Sequence, residues 1–283
     1  MSVRTFLALS RAANLPTVWS NCLAGWWLSG GGPAGMGLLL LFAGATFLYL
    51  GGACLNDVFD ESYDRQFRRA RPIPSGALTP AAVLRWGLAW LVLGEVCLFC
   101  LGQATGGLGL ALALCAAVYN ATHRLFTFSP MLLGLCRFFL YVIAASAGAG
   151  GVSGWAIWCG LALAAYVTGA RCLPRPENTR GRADYWPVLL LAVPILLALL
   201  MDVGRYRLPG LELSAVFGLW VLYCLRYAFW PVDRDFGRAT SGLVAGIVFV
   251  DWLAVLDVQR ELSLVFLGLF GATLLFQRLA PAS

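Results

Sequence analysis

Apolar residues fill long, nearly unbroken runs along this chain, and the polar residues collect between them. Runs near 13–29, 37–55, 83–102, 106–122, 131–149, 153–170, 186–201, 211–230, 240–257 and 262–279 approach the roughly 20 residues that an α-helix needs to cross a bilayer. The pattern therefore predicts about ten helical spans. Three glycine-rich stretches, SGGGPAG, GQATGG and GAGGVSG, read as uncharged breaks between spans.

Composition agrees with the pattern. The 283 residues are 60% hydrophobic and only 12% charged, with a mean hydropathy of +0.78, whereas soluble domains carry about 25% charged residues. The chain reads as one integral-membrane domain, 1–283, with no soluble block. A cleaved leader is not expected, because the first apolar run lacks a small-residue cleavage site. All twenty basic residues are arginine. They lie in short loops, so the net charge of +6 reads through topology and implies no nucleic-acid partner.

The arginines sort the loops. Arg65, Arg68, Arg69 and Arg71 follow the second run, Arg124 follows the fourth, and Arg171, Arg175, Arg180 and Arg182 follow the sixth. The positive-inside rule places these loops in the cytoplasm and the glycine-rich ones outside. Arg205 and Arg207 are exceptions. The nine cysteines lie mostly within apolar runs and suggest no disulfide framework, and Cys97-x-x-Cys100 reads as structural.

The densest chemistry is the stretch CLNDVFDESYDRQFRRARPIPSG, from Cys54 to Gly76. At about 100° per residue, Asn56, Asp57, Asp60 and Asp64 fall in one sector of roughly 100° on a helix that continues the second run. Clustered oxygen ligands suit a hard cation, and Mg²⁺ takes one or two carboxylates and completes its shell with water and phosphate oxygens. The plainer reading is a solvated helix end whose acids pair with the arginines that follow. Arg137, inside an apolar run, is unfavourable unless it faces the interior of a bundle. Glu95, Arg226, Asp251 and Asp257 also fall in or near spans, and either line a transport path or pair across helices.

N-D-x-x-D-x-x-x-D followed by arginines and R-P-I-P-S-G resembles the first Asp-rich motif of the UbiA superfamily of intramembrane prenyltransferases. RAANLPTVWSNCLAGWWL is similar to that family's first helix, and YNATHRLFTFSPMLLGLCRFFLY to its fourth and fifth. The resemblance implies an all-α polytopic bundle of about nine core transmembrane helices, with a possible tenth, around a central lipid-accessible cavity. It implies Mg²⁺-dependent transfer of an isoprenoid group from a prenyl diphosphate to an aromatic or lipid-like acceptor. Asn56, Asp57, Asp60 and Asp64 would be the metal ligands. The three aspartates and Arg71 would be catalytic. Arg68, Tyr119, Arg124 and Arg137 would contact diphosphate or line the cavity. The expected setting is a bacterial inner membrane with the site loops cytoplasmic, membrane lipids as surroundings and no protein partner indicated.

One part of the family pattern is missing. The second motif, D-x-x-x-D, belongs in AAYVTGARCLPRPENTRGRADYWP, which offers Tyr166, Arg171, Arg175, Glu177 and Asp184 instead. Either Arg171 and Arg175 neutralise charge in place of a second Mg²⁺, with Glu177 as a remaining ligand, or the chain is a non-catalytic isoprenoid-lipid binder or transporter on the same fold.

Overall fold

The computed structural model describes residues 9, 11–32, 35–126, 128–173, 186–202, 204–230, 234–256 and 260–279. Among them there is no strand, and helices follow one another with short connections. After a 3₁₀ turn at Ala12–Asn14 come α1 (Leu15–Leu28), α2 (Met36–Phe59), α3 (Glu61–Phe67), α4 (Pro80–Leu101), α5 (Gln103–Thr122), α6 (Ser129–Ala147) and α7 (Gly154–Arg171). A 3₁₀ segment, Trp186–Ala192, leads into α8 (Val193–Met201), followed by α9 (Arg207–Phe229), α10 (Phe236–Ala245), α11 (Ile247–Ala254) and α12 (Arg260–Leu279).

Local chemistry marks the helix starts. Proline stands in the first turn of α1, α4, α6 and α8, where its missing N–H has no intrahelical partner to lose. The Thr79, Ser153 and Asp235 side chains accept from backbone N–H groups two or three residues into α4, α7 and α10.

Six described helical stretches are long and apolar enough to span a membrane: Met36–Phe59, Pro80–Leu101, Gln103–Thr122, Ser129–Ala147, Arg207–Phe229 and Phe236–Ala254. The chain is thus a multi-pass integral membrane protein. α1 has 14 residues, about 21 Å at 1.5 Å per residue, and is buried along most of its length. It touches α2, α6, α11 and α12, and those contacts close the bundle around it.

Two sequence expectations change here. GQATGG is not a loop: only Gly102 breaks the helix, with φ 151°. A Cβ on Gly106 would stand 2.4 Å from the Phe99 ring, so that glycine serves close helix approach rather than a turn. In lipid an open loop would leave backbone groups unpaired, which favours the helical solution. The run 240–257 is likewise two helices broken at Gly246. The Tyr166 hydroxyl donates to Leu243 O at 2.7 Å and Trp220 Nε1 donates to Gly242 O at 2.9 Å, so side chains occupy carbonyls at the break.

α2 and α4 approach through Gly44, Gly51, Gly87 and Gly94, and a Cβ on Gly94 would lie 2.9 Å from Leu48 and 3.0 Å from Gly44 O. Gly94→Val is expected to destabilise the fold by about 1–3 kcal/mol through overpacking, read as a lower thermal midpoint in detergent. Gly107→Ala, which meets nothing within 4 Å and lies inside a helix, should leave the midpoint equal to the parent's or higher. Equal midpoints for Gly94→Val and the parent would contradict this packing.

Candidate active site

The acidic stretch lies at the end of α2 and on α3. The helix stops at Phe59, Asp60 forms the joint, and backbone bonds from Asp60 N to Asn56 O and from Asp64 N to Asp60 O, both 2.9 Å, carry the register across it. The four polar side chains are not solvated. Asn56, Asp57, Asp60 and Asp64 are 6%, 4%, 5% and 1% exposed, so each negative charge needs a partner.

Arginines from three other segments supply those partners. Arg71 Nη1 bridges two carboxylates, 3.2 Å from Asp57 Oδ1 and 2.9 Å from Asp64 Oδ2. Its loop is fixed by Ile73, buried with Leu9, Cys54 and Val83, and by a turn that Gly76 closes at φ 76°, a value glycine adopts without strain. R-P-I-P-S-G is therefore an anchored turn that holds one guanidinium.

Arg11 reaches in from before α1. Its Nη2 lies 3.1 Å from Asp57 Oδ1 and also bonds Asn56 Oδ1. Burial would lower the Arg11 guanidinium, but the Asp57 charge and hydrogen bond outweigh it and raise it. Arg11 is the one described non-glycine residue at positive φ, 45°, a conformation that costs about 1–2 kcal/mol and is held by bonds to its carbonyl from Asn14 N and the Tyr49 hydroxyl.

Asp60 faces the other way. Arg124 approaches it with Nε at 2.9 Å and Nη2 at 2.8 Å, His123 Nε2 stands 3.2 Å away, and the Arg124 guanidinium covers the Tyr63 ring at 3.8 Å. Burial pushes the Asp60 carboxyl up, yet the hydrogen bonds and charges of His123 and Arg124 prevail and hold it below its ordinary value. Asn56 Nδ2 donates to Asn120 Oδ1 at 3.0 Å, and Asn120 Nδ2 donates to Gly52 O at 3.2 Å, tying α2 to α5. Tyr119 stacks on His123 with ring centroids 5.1 Å apart.

Asn56, Asp57, Asp60, Asp64, Arg71 and Arg124 thus meet as a cluster, with Tyr119 at its border. Arg68 is exposed at the end of α3. Arg137 lies on α6, bonded to Thr17 and Asn21 on α1. Tyr166 is fully buried in the packing of α7 against α10, its hydroxyl given to Leu243. Arg171 ends α7, while Arg175 and Glu177 lie outside the described residues. Sequence reasoning passed over Arg11, Asn120 and His123. Asn120 and His123 flank Tyr119 and Arg124 on one helix end, a local signal that was present. Arg11 is 46 residues from Asp57, and no spacing marks that contact.

Among the described residues, no three His, Cys, Asp or Glu side chains converge as a metal site. The donor set nonetheless fits one Mg²⁺. Asp57 and Asp64 both face the single position taken by Arg71 Nη1, and Asp64 Oδ1 is buried without a hydrogen-bond partner. Two carboxylates with a spare buried oxygen match what Mg²⁺ uses when water and phosphate complete its shell.

A profile of the UbiA prenyltransferase family matches residues 18–173, more than half of the chain and all of the acidic cluster except Arg11. The chain belongs to the UbiA prenyltransferase family. This UbiA family member is 30% identical over 123 residues to a 4-hydroxybenzoate octaprenyltransferase of Tolumonas auensis, covering 42% of this chain and 41% of that one. It is 33% identical over 121 residues to a digeranylgeranylglyceryl phosphate synthase of Methanoregula boonei, covering 43% of each. The chain spans about two-fifths of the length of these curated relatives. Among solved structures, the apo UbiA homologue of Aeropyrum pernix K1 superimposes with a TM-score of 0.69 at 17% identity over 90% of this chain and 99% of that one. A UbiA homologue of Archaeoglobus fulgidus bound to DMAPP and Mg²⁺ gives 0.52 at 14% identity over 96% and 98%. At these identities the structures show a shared fold.

The Asp60 shift has a definite sign. A carboxyl held below its unfolded value stabilises the fold fully above about pH 4, and this contribution is lost as pH falls through the folded value. Thermal midpoints of the parent should fall on acidification below about pH 4, and Asp60→Asn should flatten that limb. An identical acid limb in both proteins would contradict the Asp60 assignment.

Proposed function

We propose that this chain transfers an isoprenoid group from a prenyl diphosphate to a hydrophobic acceptor within the membrane, in a Mg²⁺-dependent reaction. The observation that carries this reading is the buried cluster in which Arg71 bridges Asp57 and Asp64 beside Arg11, Asn56, Asp60 and Arg124. Membership of the family supports it. The relatives' names refer to 4-hydroxybenzoate and to glyceryl phosphate, so the acceptor class is aromatic or lipid-like.

Asp57 and Asp64 would hold Mg²⁺, with Asn56 beside them; bound there, the ion neutralises a departing diphosphate. This chain's own residues do the rest. Arg71 and Arg11, released from the carboxylates, give N–H donors to phosphate oxygens, and Arg124 with Tyr119 closes the α5 side. As the allylic C–O bond breaks, its electron pair leaves on the diphosphate oxygen, where fixed guanidinium groups stabilise the new charge. The acceptor then bonds to the allylic carbon, and its proton passes to the departing diphosphate. Arg68 at the mouth and Arg171 at the end of α7 would meet diphosphate from outside the cluster. Arg175 and Glu177 would act on the same side as Arg171. Because D-x-x-x-D is absent after the sixth run, those arginines would offset diphosphate charge that a second ion would otherwise neutralise.

In this reading, about nine helices cross the membrane, with a possible tenth, and the loops bearing Arg71, Arg124 and Arg171 face the cytoplasm of a bacterial cell. Single cysteines placed at Ser75 and Ser153, in a background without the nine native thiols, should react with an impermeant reagent from opposite sides. Labelling of both from one side would overturn the topology.

The direct test is pyrophosphate release from farnesyl and geranylgeranyl diphosphates by the purified protein, with membrane lipid extract as acceptor. Asp57→Asn and Asp64→Asn should each lower Mg²⁺-dependent turnover by about 100-fold or more. Tight lipid binding with no turnover by the parent would favour a non-catalytic binder. Turnover unchanged in both variants would remove the metal assignment.

A further inference from the structure

A second polar centre lies deeper in the bundle, and its geometry leaves one binding edge open. Arg137 on α6 is clamped by α1: Nη1 donates to Thr17 O at 3.1 Å and to Asn21 Oδ1 at 2.6 Å, and Nη2 donates to Thr17 Oγ1 at 2.9 Å. Three of the five guanidinium hydrogens are thereby assigned. Nε–H and the remaining Nη2–H point the same way along the other edge of the planar group, and no described residue accepts from them. Arg137 as a residue is only partly buried.

What holds the clamp is a carboxylate on the opposite side. Asn21 Nδ2 donates to Asp251 Oδ2 at 2.7 Å, and Ser20 Oγ donates to the same oxygen. Asp251 sits on α11, just past the Gly246 break, and is fully buried. Asp251 fixes the amide of Asn21 with its oxygen toward Arg137, because Asn21 Nδ2 is committed to the carboxylate. The Tyr141 hydroxyl stands next to Asp251 without a well-formed bond to it.

The position is also informative. Tyr49 is seven residues before Asn56 on α2, about 10 Å deeper at 1.5 Å per residue. Tyr49 bonds Asn14 and the Arg11 carbonyl and interacts electrostatically with both Arg11 and Arg137. Tyr49 thus links Arg137 electrostatically to Arg11, and through the Arg11–Asp57 ion pair to the acidic cluster.

We propose that Arg137 selects the acceptor by receiving an oxyanion, a carboxylate or a phosphate, on its open Nε–H and Nη2–H fork, and that Asp251 is a positioning residue acting through Asn21. The term acceptor rests on the prenyl-transfer reading; the anion site does not. A fork of two parallel N–H donors matches two oxygens of one anion, whereas a lysine ammonium in its place is a point charge without that match. Asp251 meets Ser20 and Asn21 and makes no direct ion pair with Arg137, so it acts on the guanidinium only across Asn21.

The test uses the full chain in nanodiscs and three probes: 4-octylbenzoate, octyl phosphate and uncharged 4-octylbenzamide. Equilibrium binding of each probe is measured without diphosphate, then the apparent KM for membrane lipid extract as acceptor and for farnesyl diphosphate in turnover. One anion should bind at least about tenfold more tightly than the amide, and Arg137→Lys should lose about tenfold or more of that affinity while binding farnesyl diphosphate as the parent does. Whichever anion binds more tightly identifies the source as carboxylate or phosphate. Asp251→Asn, which keeps an oxygen for Ser20 and Asn21, should raise the acceptor KM and leave the diphosphate KM unchanged, a split that general loosening of the fold does not produce. It also carries the test if Arg137→Lys does not fold. Equal binding of amide and anions, or anion affinity unchanged in Arg137→Lys, overturns the site. Equal rises in both KM values for Asp251→Asn overturn the positioning role. Anion binding that depends on Arg137, in a protein that never releases pyrophosphate, supports the site and instead rejects the prenyl-transfer reading.

Discussion

Three carboxylates buried at the edge of an apolar bundle persist because guanidinium groups from distant parts of the chain reach them. An unpaired buried charge is so unfavourable that removing one partner of such a pair costs about 3–5 kcal/mol. Arg71 answers Asp57 and Asp64, Arg11 answers Asp57, and Arg124 answers Asp60. Those contacts join the segment before α1, the joint of α2 and α3, the anchored turn after α3, and the end of α5. The electrostatics of the site and the assembly of that end of the bundle are one problem with one solution.

That solution also prepares the site for an anionic ligand. Each arginine rests on a carboxylate, so in the proposed reaction a diphosphate arriving with a cation would find a partner exchange in which no charge need be left bare: Asp57 and Asp64 would hold the cation, and the guanidinium groups would turn to phosphate. The left-handed Arg11 backbone fits this picture. Local strain is tolerated where surrounding bonds over-determine it, here through the Arg11 carbonyl and the Asp57 ion pair.

How much of this was legible in the sequence follows from how far apart the interacting residues lie. N-D-x-x-D-x-x-x-D shows itself because helical periodicity brings its members together within two turns, and Arg71 follows within seven residues of Asp64. Arg11 carries no such mark, since its meeting with Asp57 is decided by how α1 docks on α2. The apolar runs gave the helices but not their lengths in space: α1 is too short to span alone, and the run at 240–257 bends where Tyr166 and Trp220 donate to carbonyls. GQATGG does break two helices, but only at Gly102; its later glycines serve close approach, as small residues in membrane helices do. Arg137 was legible as an interior residue from its cost in lipid, and Asp251 as a charge that could pair across helices, but no spacing marks Asn21 as the link between them, because α1 and α11 are joined only by tertiary packing.

The absence of lysine bears on both polar centres. A buried ammonium readily loses its proton, whereas a guanidinium stays charged and is less strongly hydrated. Planarity adds a second property. Arg71 uses one nitrogen to bridge two carboxylates, and Arg137 gives Thr17 and Asn21 one edge while keeping the other. A point charge can neutralise but cannot divide its directions between fold and ligand. In a bundle with so few charges, the group that holds helices together can also face the substrate only if its donors are fixed in a plane, and that is the geometry arginine provides at both depths.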